Sequence, residues 1–531
     1  MTRPVRGRTR ERRDEVARHL AALGLGSAKR FPQPAEESPG LRLRAALIEL
    51  GPVFTAFGRY LSSRADLLPE SECLILATLP DQRSPLPLES VRELLLLALG
   101  QPPEQLYAAF DPAATATLVW QEHRARLAGG EPVAVRFVRP ELAVELDRDL
   151  DLLPLLGPAL APLAGSRSWL AAAVDDFAAA TAAATDLGGQ AAALAAMRQD
   201  GASSGLTLAV PRVLPALSTP VVMTREELPG AALETFFPAG AGASGGPWSA
   251  DLAVRLCQVW LRQACFGRAF PVELEVGDVR VLPGDRMAWT GGTFGSVPPM
   301  TRESLWEYLL AAAAHDPERA CAALVREMDG GPADGHGLPE RLRQLVPFRD
   351  GGWAARDDLA GYLFLHWRCA TAMGYRPRPP LVLFYRGLTR LAAAARRLAP
   401  GRDALREGLE ATRFANGLGD VARMLDGDAM KQALGTYAAA MMAMPQRLNE
   451  LLTLAAEGRA SIKLEMVEPP SERRRRDSST AALAAVLAMV AVILIAHHLA
   501  GILGPWAERI AAVLLGALGV FLLRALSGRE P

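Results

Sequence analysis

Lysine is nearly absent from this chain. Of its 58 basic residues only Lys29, Lys431 and Lys463 are lysines, and the rest are arginine. Arginine does not deprotonate in a protein and presents a planar fork of donors, so chemistry that needs a lysine amine has almost nowhere to sit. Cysteine is scarce too. Cys73, Cys257, Cys265, Cys321 and Cys369 are odd in number and widely spread, with no Cys-x-x-Cys pair and no zinc spacing. They read as reduced, buried thiols of a cytosolic compartment. Net charge is also missing: 58 basic against 58 acidic residues leave zero, which excludes a general nucleic-acid binder. The charged N-terminus lacks an apolar run and is not a secretory signal.

What is present is apolar. Hydrophobic residues make up 50% of 531, enough for more than one folded unit and a sizeable core. Residues 1–30 are arginine-rich and become an amphipathic helix near Val16, Leu20 and Leu23. Contact with anionic lipid heads and packing on the body are both open for that helix. Residues 31–40 carry three prolines and read as a linker. Residues 41–68 and 89–100 read as helices, and 101–111 as a short helix and turn. Strand-like runs at 117–120 and 133–138 flank Gly129-Gly130, a hairpin-type turn. Helices resume over 141–199, β-like runs return at 208–224 and 272–290, and from Thr301 the chain reads as nearly all helical. This order predicts an α+β body with an all-helical second lobe.

Two further runs, about 481–503 and 506–524, are apolar on all sides and reach the roughly 20 residues a bilayer span requires. Arg473 to Arg476 precede the first, and Arg524 and Arg529 follow the second. The positive-inside rule then places both ends of this helical hairpin in the cytoplasm.

The most particular stretch is Gly51 to Pro69, GPVFTAFGRYLSSRADLLP. Gly-Pro can open a helix. Val53, Phe54, Phe57, Tyr60 and Leu61 recur at helical spacing, and Pro69 stops the pattern. On those grounds alone it is an ordinary core-facing helix. It also resembles the signature of the UbiB/AarF atypical-kinase family. Leu50-Gly51-Pro52, Phe54, Gly58, Leu61-Ser62, Arg64 and Asp66 to Pro69 match, whereas the family lysine falls on Ala56 and the family glutamine on Arg59. Other landmarks follow in order. Phe110-Asp111-Pro112 and His123-Arg124-Ala125 resemble the alanine-rich nucleotide loop and its sequel. Val133 to Arg136 with Arg139-Pro140 resembles the third strand, Asp186 with Gln190 the acidic helix motif, and Glu227 to Gly230 the hinge.

The resemblance implies a protein-kinase-like, two-lobed, mostly helical α+β body with a C-terminal transmembrane hairpin. Residues 1–40 would be a basic extension, 41–300 the kinase-fold core, 301–470 a helical lobe and 471–531 the membrane anchor. It implies ATP and magnesium as the family's cofactors, a bacterial inner membrane, and a role in isoprenoid-quinone (ubiquinone) biosynthesis. Phosphoryl transfer needs a cation on the phosphates, an acid holding that cation, a base and metal ligands. Here the third-strand lysine is Arg136 and its carboxylate partner is Gln190. Asp186 alone remains of the family's acidic pair, the other position being Ala184. The catalytic loop offers Glu273 and Asp278, and no asparagine precedes Asn416. The magnesium aspartate falls on Gly291, or on Thr293 with a small shift.

Arg136 and Asp186 are thus the relics of a nucleotide site, and Glu273 and Asp278 the degenerate catalytic equivalents. Asp186, Glu273 and Asp278 are the oxygen donors left for a divalent ion. The expectation is a membrane-anchored pseudokinase with no catalytic residue and no required cofactor, and with an apolar groove near the signature helix. Its expected partners are the bilayer, quinone precursors and quinone-biosynthesis enzymes, with homodimerisation left open. Two competing classes stay open: an atypical ATPase or kinase working with the substituted residues, and a scaffold tethering biosynthetic enzymes.

Overall fold

The computed structural model describes residues 5–22, 25, 38–164, 169–203, 208–238, 247–283, 286–332, 337–345 and 358–425. The chain divides into two compact units, residues 1–422 and 423–531. The expected membrane spans at 481–503 and 506–524 lie outside the described residues. Among the described residues no helix is long and apolar enough to cross a membrane.

The first unit opens with helix α1, Val5–Ala22. Val16, Leu20 and the following Leu25 are buried in one apolar cluster. Arg12 forks onto the buried Asp149 carboxylate at 2.9 and 3.2 Å. The expected single helix over 41–68 is two. Helix α2, Pro39–Leu50, is capped by the Ser38 hydroxyl, and helix α3, Pro52–Leu61, follows it. The break is local chemistry. Gly51 has φ +106°, a backbone open chiefly to glycine, and Pro52 has no N–H to continue the ladder. Helix α3 also stops short of Pro69. Beyond it Arg64 turns back onto Asp66 at 2.8 Å and reaches Asp176 at 3.0 Å.

A four-stranded antiparallel sheet follows: β1 Ala109–Ala116, β2 Trp120–Arg126, β3 Pro132–Val138 and β4 Val222–Glu226, in that spatial order. The expected Gly129-Gly130 hairpin joins β2 and β3, with Gly130 at φ +84°. Two boundaries differ from expectation. The first hairpin strand starts at Trp120, where the run over 117–120 ends. The expected helix and turn at 101–111 is the single turn Pro103–Leu106, and a strand begins at Ala109. The β1 residues are largely alanine and threonine with no apolar alternation, so pairing with β2 makes them a strand.

Helices α4 Glu141–Asp149, α5 Leu170–Thr185 and α6 Leu187–Ser203 come between β3 and β4. Helix α7, Pro247–Phe266, leads into β5, Phe270–Glu273. Strands β6, Val279–Leu282, and β7, Arg286–Trp289, form an antiparallel hairpin within the expected β-like run 272–290, and β8, Thr293–Gly295, pairs back onto β5. The remainder is mainly helical and includes α8, Pro379–Leu398. Trp260, Trp289, Trp367, Phe384 and Tyr385 anchor the largest core, which runs from α6 through α8. Strands as far as Gly295 and mainly helices beyond it give the mostly helical α+β body that the sequence order predicts, with the short antiparallel pair Met328–Gly330 and Tyr375–Pro377 interrupting the expected all-helical second lobe.

Candidate active site

The cleft lies where α3, the β2–β3 hairpin, α5 and the loops around β5 and β6 meet. Arg136 fills its centre. Strand alternation turns it inward, and it is 1% exposed. Its Nε donates to Glu122 Oε2 at 2.7 Å and its Nη2 to Asp278 Oδ1 at 3.0 Å. The guanidinium lies over the Trp120 ring, 3.8 Å from the centroid, a cation–π contact strengthened by desolvation. Glu122 sits directly across the hairpin from Arg136 and also accepts from Arg225 Nη2 at 2.8 Å. Burial alone would raise the Glu122 carboxyl, but the Arg136 and Arg225 guanidiniums reverse this and hold it at about 2.

Gly291 makes this arrangement fit. A Cβ there would stand 2.5 Å from Asp278 Oδ1 and 2.8 Å from both Arg136 Nη atoms. The guanidinium therefore occupies space next to the position where the family pattern puts its magnesium aspartate. Asp278 Oδ2 has no partner among the described residues.

The other carboxylates of the cleft have arginine partners as well. Glu273, at the end of β5, pairs with Arg386 of α8. Glu275 accepts from Arg59 Nη2 at 2.7 Å, and Arg59 Nη1 donates to the Leu79 carbonyl at 2.9 Å. Asp81 lies 3.6 Å from Arg59 Nε. Arg390, also on α8, donates to the Arg59 carbonyl at 3.0 Å. Burial raises the Glu275 carboxyl, and the Arg390 and Arg59 guanidiniums pull it back. The free space under α3, bounded by Ala56, Arg59, Trp120, Gln190, Glu273 and Asp278, is about 90 Å³. Ligand pockets run to about 300–1,000 Å³.

Arg136, Glu273 and Asp278 share this cleft, and Asp186 does not line it. Asp186 sits at the join of α5 and α6, where its carboxylate accepts the Gly189 N–H at 3.0 Å, and it lines an adjoining groove. Gln190 turns to the Ala184 carbonyl at 2.6 Å. Among the described residues no group of three or more histidines, cysteines, aspartates or glutamates could hold a metal ion. The sequence reading missed Glu122 as the partner of Arg136. The signal was available, because a hairpin centred on Gly129 places residues 122 and 136 opposite each other. Arg386 and Arg390 carried no signal, since they reach the cleft from a helix more than a hundred residues further on.

The adjoining groove is larger, about 590 Å³. Ala180, Ala183, Ala193, Phe294 and Leu383 supply much of its apolar wall, and Arg386 lines it too. It lies beside the cleft and shares Ala180, Gln190 and Thr293 with it.

Comparison with known proteins adds a family. Residues 78–324 match the ABC1 atypical kinase-like domain. The chain is 44% identical over 128 residues to the "probable protein kinase UbiB" of Marinobacter nauticus, covering 24% of this chain and 23% of that protein. It is 31% identical over 319 residues to the Vibrio campbellii protein of the same description, covering 56% of each. The chain thus spans about half the length, or less, of these curated relatives. A solved Mycobacterium tuberculosis protein in complex with erythromycin aligns at a TM-score of 0.38 and 18% identity, covering 64% of this chain and 87% of that one.

Proposed function

Because this chain belongs to the UbiB/AarF atypical-kinase family, we propose that it is a pseudokinase of that family. In this reading it serves isoprenoid-quinone biosynthesis by handling lipid-like intermediates at the bacterial inner membrane. The single observation that carries the pseudokinase reading is the placement of Arg136. The fork that would meet nucleotide phosphates is engaged by Glu122 and Asp278, and no aspartate stands at Gly291. A nucleotide would have to displace a buried ion-pair network into a space of about 90 Å³. The residues present do not fit magnesium-ATP.

The apolar groove beside the cleft supports the lipid-handling half of the reading. A wall of alanine, phenylalanine and leucine suits a hydrocarbon and offers little to a sugar or a phosphate. Membrane anchoring by the hairpin at 481–503 and 506–524, with both ends cytoplasmic, rests on apolar length and flanking arginines in the sequence. Quinone-biosynthesis enzymes are the proposed protein partners.

Thermal unfolding with and without magnesium-ATP tests the central statement. A ligand at 100 times its dissociation constant stabilises by about 2.7 kcal/mol, so millimolar nucleotide would visibly shift the transition of a working ATP site. The expected result is no shift. A shift that needs both magnesium and ATP overturns the pseudokinase reading in favour of an enzyme using substituted residues.

A further inference from the structure

His315 is the only residue other than glycine with a positive φ among the described residues, at 56°. It stands in the turn between the helices Pro299–Ala313 and Pro317–Val325. Such a backbone is costly for most side chains and free to glycine. Glycine would serve the turn by itself, so the imidazole adds something beyond it. Its Nε2 lies 3.2 Å from Nη2 of Arg406, in the first turn of helix α9, Ala404–Leu425. A guanidinium carries donors alone. Nε2 is therefore the acceptor, and the ring is neutral with its proton on Nδ1.

The contact lies at a junction of helices. Asp403, just ahead of α9, accepts the Leu359 N–H at 3.0 Å and ties α9 to the helix Leu359–Ala372. The Tyr362 ring of that helix is 6.3 Å from the imidazole. α9 also lies tight on α7, since a Cβ on Gly408 would stand 2.8 Å from Cys257 Cβ. The carboxylates of these elements are engaged. Asp403 pairs with Arg406 at 3.4 Å and accepts its backbone N–H at 3.1 Å. Asp358 is forked by Arg396 at 2.6 and 2.7 Å, and Glu407 by Arg402 at the same two distances. Asp316, next to the histidine, accepts the Arg319 N–H at 3.1 Å. The charge in direct contact with the imidazole is the Arg406 cation.

Protonation would turn Nε2 from acceptor into donor and set two cations against each other. Burial, and after it the Arg406 charge, already hold the imidazole below the usual histidine range. A folded pKa below the unfolded one means that the contact is whole above about pH 6.5 and is lost as pH falls.

We propose that His315 and Arg406 form a proton-operated latch: the neutral imidazole accepts from the guanidinium and holds the start of α9, and its protonation lets that end of the helix go.

Hydrogen exchange on the full chain in detergent tests the latch, read as protection factors so that the intrinsic pH dependence of exchange drops out. Peptides over residues 404–412 are compared at pH 7.5 and pH 5.5. In the wild type their protection should fall about tenfold, the ratio set by an ordinary histidine pKa of about 6.5 in the open state. His315→Asn keeps a side chain that tolerates positive φ and does not titrate. Its protection over 404–412 should change less than twofold across the same interval. This variant retains His366, so any loosening that comes from that residue appears in both proteins and cancels in the comparison. Arg406→Met removes donor and cation together. Its 404–412 peptides should exchange faster already at pH 7.5 and show no further loss at pH 5.5. The His315 ring, followed by exchange at its C2 position, should titrate below 6.5 in the wild type and closer to 6.5 in Arg406→Met. Equal loss of protection in wild type and His315→Asn overturns the latch. So does a wild-type His315 that titrates at or above 6.5, a readout that stands even where a variant fails to fold.

Discussion

Gly291→Ala adds one methyl group where the cleft is fullest. The new Cβ would stand 2.5 Å from Asp278 Oδ1 and 2.8 Å from both Arg136 Nη atoms, so something must move. Neither neighbour is the loose end of an exposed chain, since Arg136 is 1% and Asp278 6% exposed. Gly291 is not in the left-handed region, so the backbone itself accepts alanine. The strain therefore falls on the 3.0 Å contact between Arg136 and Asp278. Losing a hydrogen bond between charged groups costs about 1.5–3 kcal/mol, and stiffening the unfolded chain offsets about 0.4–1 kcal/mol of that. The net expectation is destabilisation by about 1–2 kcal/mol. Urea unfolding at pH 7, followed by tryptophan fluorescence, reads it directly. Gly129→Ala is the control, because nothing lies within 4 Å of a Cβ there, and its change should stay within about 0.5 kcal/mol. In an Arg136→Met background the penalty of Gly291→Ala should shrink, since the two sites are coupled. Equal behaviour of Gly291→Ala and Gly129→Ala would refute the wedged guanidinium and, with it, the structural basis of the pseudokinase reading.

Two further outcomes follow from elsewhere in the molecule. His366 is fully buried, its ring 4.0 Å from that of Tyr362, with neither ring nitrogen partnered among the described residues. Burial pushes its pKa down to about 3, so the unfolded chain takes up the proton first as pH falls. The associated stability is present above about pH 6.5 and is lost downward toward pH 3, with about 2 kcal/mol gone by pH 5. His366→Leu should therefore gain about 2 kcal/mol relative to wild type between pH 7.5 and pH 5, and an unchanged gap in urea unfolding would disprove the buried neutral imidazole. Deleting residues 471–531 should move the protein from the membrane to the soluble fraction. Retention on membranes would shift the anchor to another segment, with α1 the first to examine by deletion.

The sequence disclosed what is encoded over short distances. The apolar spacing of Val53, Phe54, Phe57 and Tyr60 marks a helix, and Gly129-Gly130 marks a hairpin. Gly51-Pro52 was legible as a helix opening, but the separation of α2 from α3 was not, because the run over 41–68 reads as one helix and the positive φ of Gly51 is a property of the fold. Strand β1 was missed because alanine and threonine carry no alternation until a neighbouring strand supplies one. For the site, the resemblance let each family position be matched to a residue of this chain, but the partners of those residues could not be read. Gln190 stood in the expected place opposite Arg136, yet the actual partner is Glu122 across a hairpin. Glu273 and Glu275 are answered by Arg386 and Arg59, which lie more than a hundred residues away along the chain. Pairing over such separations leaves no trace in local spacing.

The scarcity of lysine has a consequence in alkali. All three lysines lie outside the described residues, so the ion pairs of the cleft are built with arginine and keep their cations well past pH 10.4, near which lysine amines discharge. Buried acids of another kind yield sooner. Burial pushes the Tyr60 phenol up to about 12 and raises those of Tyr308 and Tyr385, and it pushes the Cys265 thiol up to about 12. A group whose folded pKa is raised stabilises below its unfolded value and loses that contribution as pH climbs. The unfolded chain releases thiol protons from about pH 8.5 and phenol protons from about pH 10, while the folded body holds its own. In base, this body is undone by its phenols and thiols, with its charge network still intact.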